Sequence, residues 1–224
     1  GMESMSNAPY LLPTARAGLR MGHAGMQDSL FTDGLEDAET GGSMGSFAQS
    51  TADDHQLTRE GMDAYAIESV NRALQAINGQ RLAAEISPMD IDGVSIADDE
   101  QPGKARVDRI PTLRPAFKSD GTITAANASS ISDGASALVL TRESQLDGRD
   151  SLARIVAHST HSIHPSEFTL APIGAIEKLL EKTGWKKESV DLFEINEAFA
   201  MVTMLTMQAL NLPHEKVNIY GGAC

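Results

Sequence analysis

Cysteine is almost missing from this chain. Cys224 is the only one in 224 residues, so no intrachain disulfide can form and no oxidising compartment is implied. Positive charge is also scarce. With 18 Lys and Arg against 31 Asp and Glu, the formal charge is −13, which excludes a sequence-independent nucleic-acid binder, because such proteins displace counterions with a basic surplus. An anionic ligand would need a local positive patch. No run approaches the ~20 apolar residues of a spanning helix, and no charged start, apolar stretch and small-residue cleavage site marks a leader. No membrane span and no nucleic-acid partner are therefore expected, and a cytoplasmic protein is the default. What remains is ordinary for a globular protein: 41% hydrophobic and 22% charged residues, in a length that allows one large domain or two modest ones.

Residues 1 to 50 are rich in Gly, Ser, Met, Asp and Asn, with weak periodicity, and read as loop with short helices. Thr58 is a good N-cap, and Met62, Tyr65, Ala66, Ser69, Val70, Ala73, Leu74 and Ile77 follow at helical spacing until Gly79. An irregular acidic and then basic segment, Asp90 to Arg114, leads to Ala137-Leu138-Val139-Leu140, which reads as a short buried strand. Asp147 to Asp150 is a linker candidate. Beyond it the pattern predicts strand Leu152 to Ala157, a helix from Pro172 to Gly184, strand Val190 to Ile195, helix Ala198 to Leu210 and strand Val217 to Tyr220. That β-α-β-α-β order implies a parallel sheet with reactive groups beyond the carboxyl ends of its strands. In the Pro172 helix Ile173, Ile176, Leu179 and Leu180 mark the inner side, and Glu177, Lys178, Glu181 and Lys182 the wet side.

Asn196 lies at such a strand-to-helix junction, where an amide either caps the helix or holds a water or developing oxyanion without changing charge. Both readings stay open on spacing alone. His158, His161 and His164 recur at every third position but fall at a strand end and in a loop, which points their rings apart, and no metal site is expected. His55 and His214 read as solvated surface residues.

The string Glu194-Ile195-Asn196-Glu197-Ala198-Phe199-Ala200 closely resembles a signature of the thiolase family. Four further segments resemble that family in the same order. They are Gly1-Met2-Glu3-Ser4-Met5-Ser6; Leu113-Arg114-Pro115-Ala116-Phe117 with Asp120-Gly121-Thr122; Ala126-Asn127-Ala128-Ser129 through Ser132-Asp133-Gly134-Ala135; and Val217-Asn218-Ile219-Tyr220-Gly221-Gly222-Ala223. Together they span the chain. The resemblance implies a thiolase-like layered αβαβα fold, present in part and with the loop domain. It divides the chain into a loop domain covering coenzyme A (1–129), the last strand of the first core half with a linker (130–150), and the first part of the second half (151–224).

It also implies an acyl-CoA acyltransferase, cleaving 3-ketoacyl-CoA by thiolysis or running the reverse Claisen condensation through a cysteine acyl-enzyme, with coenzyme A as co-substrate and no covalently bound cofactor. A homo-oligomer, dimer or tetramer, is the family expectation. Asn196 takes the catalytic role of fixing a water in an oxyanion hole. Ser129 meets the pantetheine arm, and Met44, Ala116, Phe117, Ala125, Phe168, Ala198 and Phe199 line the substrate tunnel. The nucleophilic cysteine is expected upstream of Gly1, and the histidine and second cysteine after Cys224, which itself matches a small or apolar position, so the chain alone is expected to be inactive. Incomplete sheets would leave it weakly stable and prone to associate.

Departures from the family pattern bear on specificity. Ser43 stands where some biosynthetic members have histidine, Phe168-Thr169-Leu170-Ala171-Pro172 replaces Met-Gly-x-Gly-Pro, and Gly103 replaces an arginine near the adenine, with Lys104 or Arg106 as substitutes. These fit a broader 3-ketoacyl-CoA thiolase. A non-catalytic thiolase-like protein binding acyl-CoA or lipid is the alternative. A ketoacyl synthase relative would use a Cys-His-His set and lack the Asn-Glu-Ala-Phe string.

Overall fold

A computed structural model describes residues 1–224. Helix α1 (Met44–Asp54) starts where the Ser43 side chain accepts the Ser46 N–H at 3.1 Å. Helix α2 (Arg59–Asn78) starts at Thr58, which accepts from Gly61 N at 3.1 Å, and stops at Gly79. A short helix α3 (Glu100–Lys104) follows, then α4 (Ala171–Thr183), closed by Gly184 in the left-handed conformation, and α5 (Ala200–Leu210). Helix α5 is apolar all round, as a central helix must be. It buries Met201, Val202 and Leu205 in one cluster with Ala48, Ala52, Met62, Tyr65, Ile123 and Phe199. Its far end packs Leu210 with Ile195, Leu212 and Val217, against which Ile173 and Ile176 of α4 lean. The wet side of α4 is exposed as predicted, while its inner side is half-buried.

Three antiparallel strand pairs stand apart from this helical core: β1 (Met2–Ser4) with β6 (Asp133–Ala135), β2 (Tyr10–Leu11) with β3 (Gln27–Asp28), and β4 (Met89–Ile91) with β5 (Val94–Ile96). The expected parallel sheet is reduced to one bridge, Phe193 with Val217. Segments 137–140 and 152–157 are neither strands nor buried: Val139 is 99% and Leu152 108% exposed. The physical reason is that apolar, β-branched residues make a strand only when a neighbour completes the hydrogen-bond ladder, and no segment of the chain lies beside them. The low-periodicity reading of residues 1–50 hid α1, whose inner side is made of small residues.

Only 32 of 224 residues are buried, and Leu138, Val139, Leu140, Leu152, Ile155 and Val156 all face solvent. Such continuous apolar exposure favours association. The isolated chain is therefore expected to self-associate at micromolar concentration, measured by light scattering across a dilution series; a monomer at every concentration would contradict this.

Candidate active site

The strand-to-helix turn Ile195–Phe199 alternates in burial: Ile195, Glu197 and Phe199 point inward, Asn196 is exposed and Ala198 is half-buried. Helix α5 begins only at Ala200, because Phe199 keeps an extended backbone (φ −146°, ψ 151°) and bridges Ala128 in antiparallel fashion. Asn196 is therefore not the helix cap. Its amide has no protein hydrogen-bond partner and faces outward, available to a ligand or water.

Beside this turn runs the segment Ala126–Ser129. Ser129 N donates to Ala198 O at 3.0 Å, and Ala200 N donates to Asn127 O at 2.9 Å. Phe117 reaches in from the turn that Ala116 N closes on Ile123 O, and its ring meets that of Phe199 edge-on at 6.2 Å and 77°. The Phe117 ring also presses on α1: a Cβ at Gly45 would lie 2.1 Å from it. Met44, the first residue of α1, adjoins that contact, and Phe168, from the helical turn Pro165–Leu170, packs on the Phe199 cluster. Ser129, Phe117 and Phe168 are thus brought against Ala198 or Phe199 of the turn, with Ala116 and Met44 next in the chain to residues of that contact. Ala125 belongs to a neighbouring cavity of about 560 Å³, shared with Ala128, Lys104, Arg106, Arg109 and Cys224. Asp99 lines it too, and its cations are paired: Lys104 with Glu100, and Arg106 and Arg109 with Asp108 at 3.5 Å each.

Sequence reasoning passed over Glu197. Its side chain is buried, with the whole residue 1% exposed, and its carboxylate accepts from Tyr65 Oη and Asn218 Nδ2, both at 2.7 Å, from Ser69 Oγ at 2.7 Å and from Cys224 N at 3.1 Å. Burial first, and the Glu197 charge second, raise the Tyr65 hydroxyl above the usual phenol value, so it stays a donor. The same two causes push the Cys224 thiol up. A nucleophilic cysteine requires the opposite shift. His214 is not a solvated surface residue: it is half-buried and stacks on Tyr65 at 5.2 Å, and burial followed by the nearby Arg72 lowers its basicity. His55 is exposed as expected. The three spaced histidines serve separate places: His158 O accepts from Lys182, the His161 ring packs on Gly174, and His164 caps the turn at Ser166.

No helix is long and apolar enough to cross a membrane. Residues 1–144 match the family model for the thiolase N-terminal domain and residues 149–224 that for the thiolase C-terminal domain. The chain is 40% identical over 231 residues to acetyl-CoA acetyltransferase of Pseudomonas aeruginosa, covering 100% of this chain and 59% of the relative. It is likewise 40% identical over 231 residues to the cytosolic acetyl-CoA acetyltransferase ERG10 of Gibberella zeae, covering 100% and 58%. The Acat5 thiolase of Ascaris suum, solved in complex with coenzyme A, superimposes with a TM-score of 0.94 at 39% identity, over 100% of this chain and 58% of that one. The layered thiolase-like α/β class is therefore the fold, spanning rather more than half the length of these relatives, and the chain belongs to the thiolase family.

Proposed function

We propose that the polypeptide to which this chain belongs is an acyl-CoA acyltransferase of the thiolase type, cleaving 3-ketoacyl-CoA with coenzyme A or running the condensation in reverse. The observation that carries this reading is the turn Asn196–Phe199, where an exposed, unpartnered amide is followed by Ala198, bonded to Ser129, and by Phe199, whose ring meets that of Phe117. In this reading Asn196 donates to a water or thioester oxygen as charge develops on it. Ser129 contacts the pantetheine arm; Met44, Ala116, Phe117, Ala125, Phe168, Ala198 and Phe199 line its path, and Lys104 or Arg106 stands in for the arginine near the adenine. The acyl group passes to a cysteine thiolate as the bond between the α-carbon and the keto carbon breaks. The α-carbon then takes a proton to release acetyl-CoA, and the thiol of coenzyme A attacks the acyl-enzyme.

Neither cysteine of that scheme is Cys224, a half-buried residue whose thiol is pushed up by burial and by the Glu197 charge. The 224-residue chain alone is therefore inactive in this proposal, with the nucleophile, the histidine and the second cysteine supplied by the remainder of the polypeptide. The division into a covering unit (1–129), a connecting segment (130–150) and part of the second core half (151–224), a homodimer or homotetramer, and a cytoplasmic location like that of the cytosolic relative complete the reading.

Thiolysis of acetoacetyl-CoA and of a medium-chain 3-ketoacyl-CoA is the test, on this chain and on one extended through both flanks. Activity confined to the extended form supports the proposal. Activity in the short chain overturns the inactivity, and silence in both favours a non-catalytic acyl-CoA or lipid-binding relative.

A further inference from the structure

Asn196 presents an amide that nothing in the protein grips, so its place is set by its two chain neighbours. Both are buried and both are fixed by the same side chain. Asn218 Oδ1 accepts the Ile195 N–H at 2.8 Å, and Asn218 Nδ2 donates to Ile195 O at 2.8 Å, imitating the missing strand neighbour. The same Nδ2 donates to Glu197 Oε1 at 2.7 Å. Asn218 is in turn anchored: it is 2% exposed, its backbone N donates to Phe193 O at 2.9 Å, and its positive φ of 47° is one that Asn tolerates better than most residues.

Glu197 completes the grip. Four donors meet its two oxygens, matching the roughly four lone-pair sites of a carboxylate. Two of the four, Asn218 Nδ2 and Cys224 N, are N–H groups that can only donate. Ser69 Oγ already accepts Gly222 N at 2.9 Å, which turns its own proton toward Glu197. A Cβ on Gly222 would lie 2.3 Å from the Glu197 carboxyl carbon, so the group has no room to swing. The carboxylate thus ties the turn to helix α2 on one side and to the Asn218–Cys224 segment on the other.

We propose that Glu197 and Asn218 are positioning residues for Asn196: together they hold Ile195 and Glu197 rigid on the inner face, so that the intervening amide projects outward at a fixed point without hydrogen bonds of its own. The geometry stands independently of the activity; its consequence for catalysis rests on the thiolase reading.

In the extended, active polypeptide Glu197→Gln puts an amide N–H against a donor. The expected result is a kcat for thiolysis lower by up to about 100-fold, the scale of a 1 Å misplacement, with KM for the acyl-CoA unchanged. Adding Glu197→Gln to Asn196→Ala should then slow the enzyme no further, because a positioning residue acts only through the group it positions. Multiplying effects would overturn the proposal. A second arm uses the 15N-labelled extended polypeptide and needs no activity: Glu197→Gln should shift the Asn196 side-chain amide signal, and an unmoved signal overturns the proposal even if the wild-type polypeptide performs no thiolysis. If Glu197→Gln does not fold, Ser69→Ala and Tyr65→Phe each remove one donor to the carboxylate. They should move the Asn196 signal in the same direction by less, and unmoved signals in both would refute the positioning role.

Discussion

Replacing Gly221 by alanine is expected to lower the urea midpoint of the chain by roughly 1 M or more, given m-values of about 1–3 kcal/mol/M. Two costs combine there. Gly221 has φ +79°, a left-handed conformation in which a Cβ costs roughly 1–2 kcal/mol. That Cβ would also lie 2.4 Å from the Ser69 carbonyl oxygen and 2.7 Å from the Ala73 nitrogen, both backbone atoms of α2 that cannot rotate aside. Overpacking of this kind costs about 1–3 kcal/mol more, a large share of the ~5–15 kcal/mol that holds a domain folded.

Gly184→Ala separates the two costs. Gly184 also has positive φ, +69°, at the end of α4, but an added Cβ there meets open space. Only the conformational cost should appear. Equal midpoint shifts at the two glycines would mean that the close approach of the 221 turn to α2 does not matter. A larger loss at Gly221 would show that α2 is seated directly on the turn that carries Asn218, and through it on Asn196.

The helices were legible where capping and periodicity agree. Thr58 and Gly79 bound α2 because a hydroxyl and a glycine meet the orphan donors and acceptors of helix ends. Pro172 and Gly184 likewise bound α4. Helix α1 was hidden because its buried side is made of Gly45, Ala48, Thr51 and Ala52, too small to stand out as an apolar stripe, and the polar Gln49; the signal present was Ser43 as a cap. The strands were misread for a non-local reason. Whether Leu138-Val139-Leu140 pairs depends on a neighbour that its own composition cannot specify.

At the proposed site, Asn196, Ser129, Phe117 and Phe199 were singled out through motif resemblance, since as single residues each suits a core or a cap equally well. Glu197 was findable by physics. A period of two through Ile195, Glu197 and Phe199 places the carboxylate on the inner face beside two apolar residues, where a charge must be answered by several donors. The sequence does not reveal those donors, because Tyr65 and Ser69 lie more than 100 positions away, on a helix whose docking is tertiary.

Asp63→Ala is expected to cost about 3–5 kcal/mol, the range for breaking a buried ion pair by removing one partner. Asp63 is 4% exposed; its Oδ2 takes Arg59 Nε at 2.7 Å and its Oδ1 takes Asn127 Nδ2 at 3.0 Å. Removing the carboxylate leaves the Arg59 charge, whose side chain is only 19% exposed, held among backbone carbonyls of Ile110 and Leu113 with no anion. It also loosens Asn127, whose carbonyl receives Ala200 N and thereby sets the ladder that places Ser129 against Ala198. Substituting both partners, Arg59→Met with Asp63→Leu, removes the unpaired charge and should recover most of the stability lost by Asp63→Ala. Urea denaturation of the wild type, Arg59→Met, Asp63→Leu and the double variant gives the coupling directly. If the double variant is as unstable as the sum of the single changes, the pair contributes by packing alone. If it recovers, the cost of Asp63→Ala lies in the Arg59 charge left without its anion. Acyl-CoA affinity in the extended polypeptide should then fall with Asp63→Ala even at temperatures where the protein stays folded, because the Ser129 edge depends on Asn127 keeping its place.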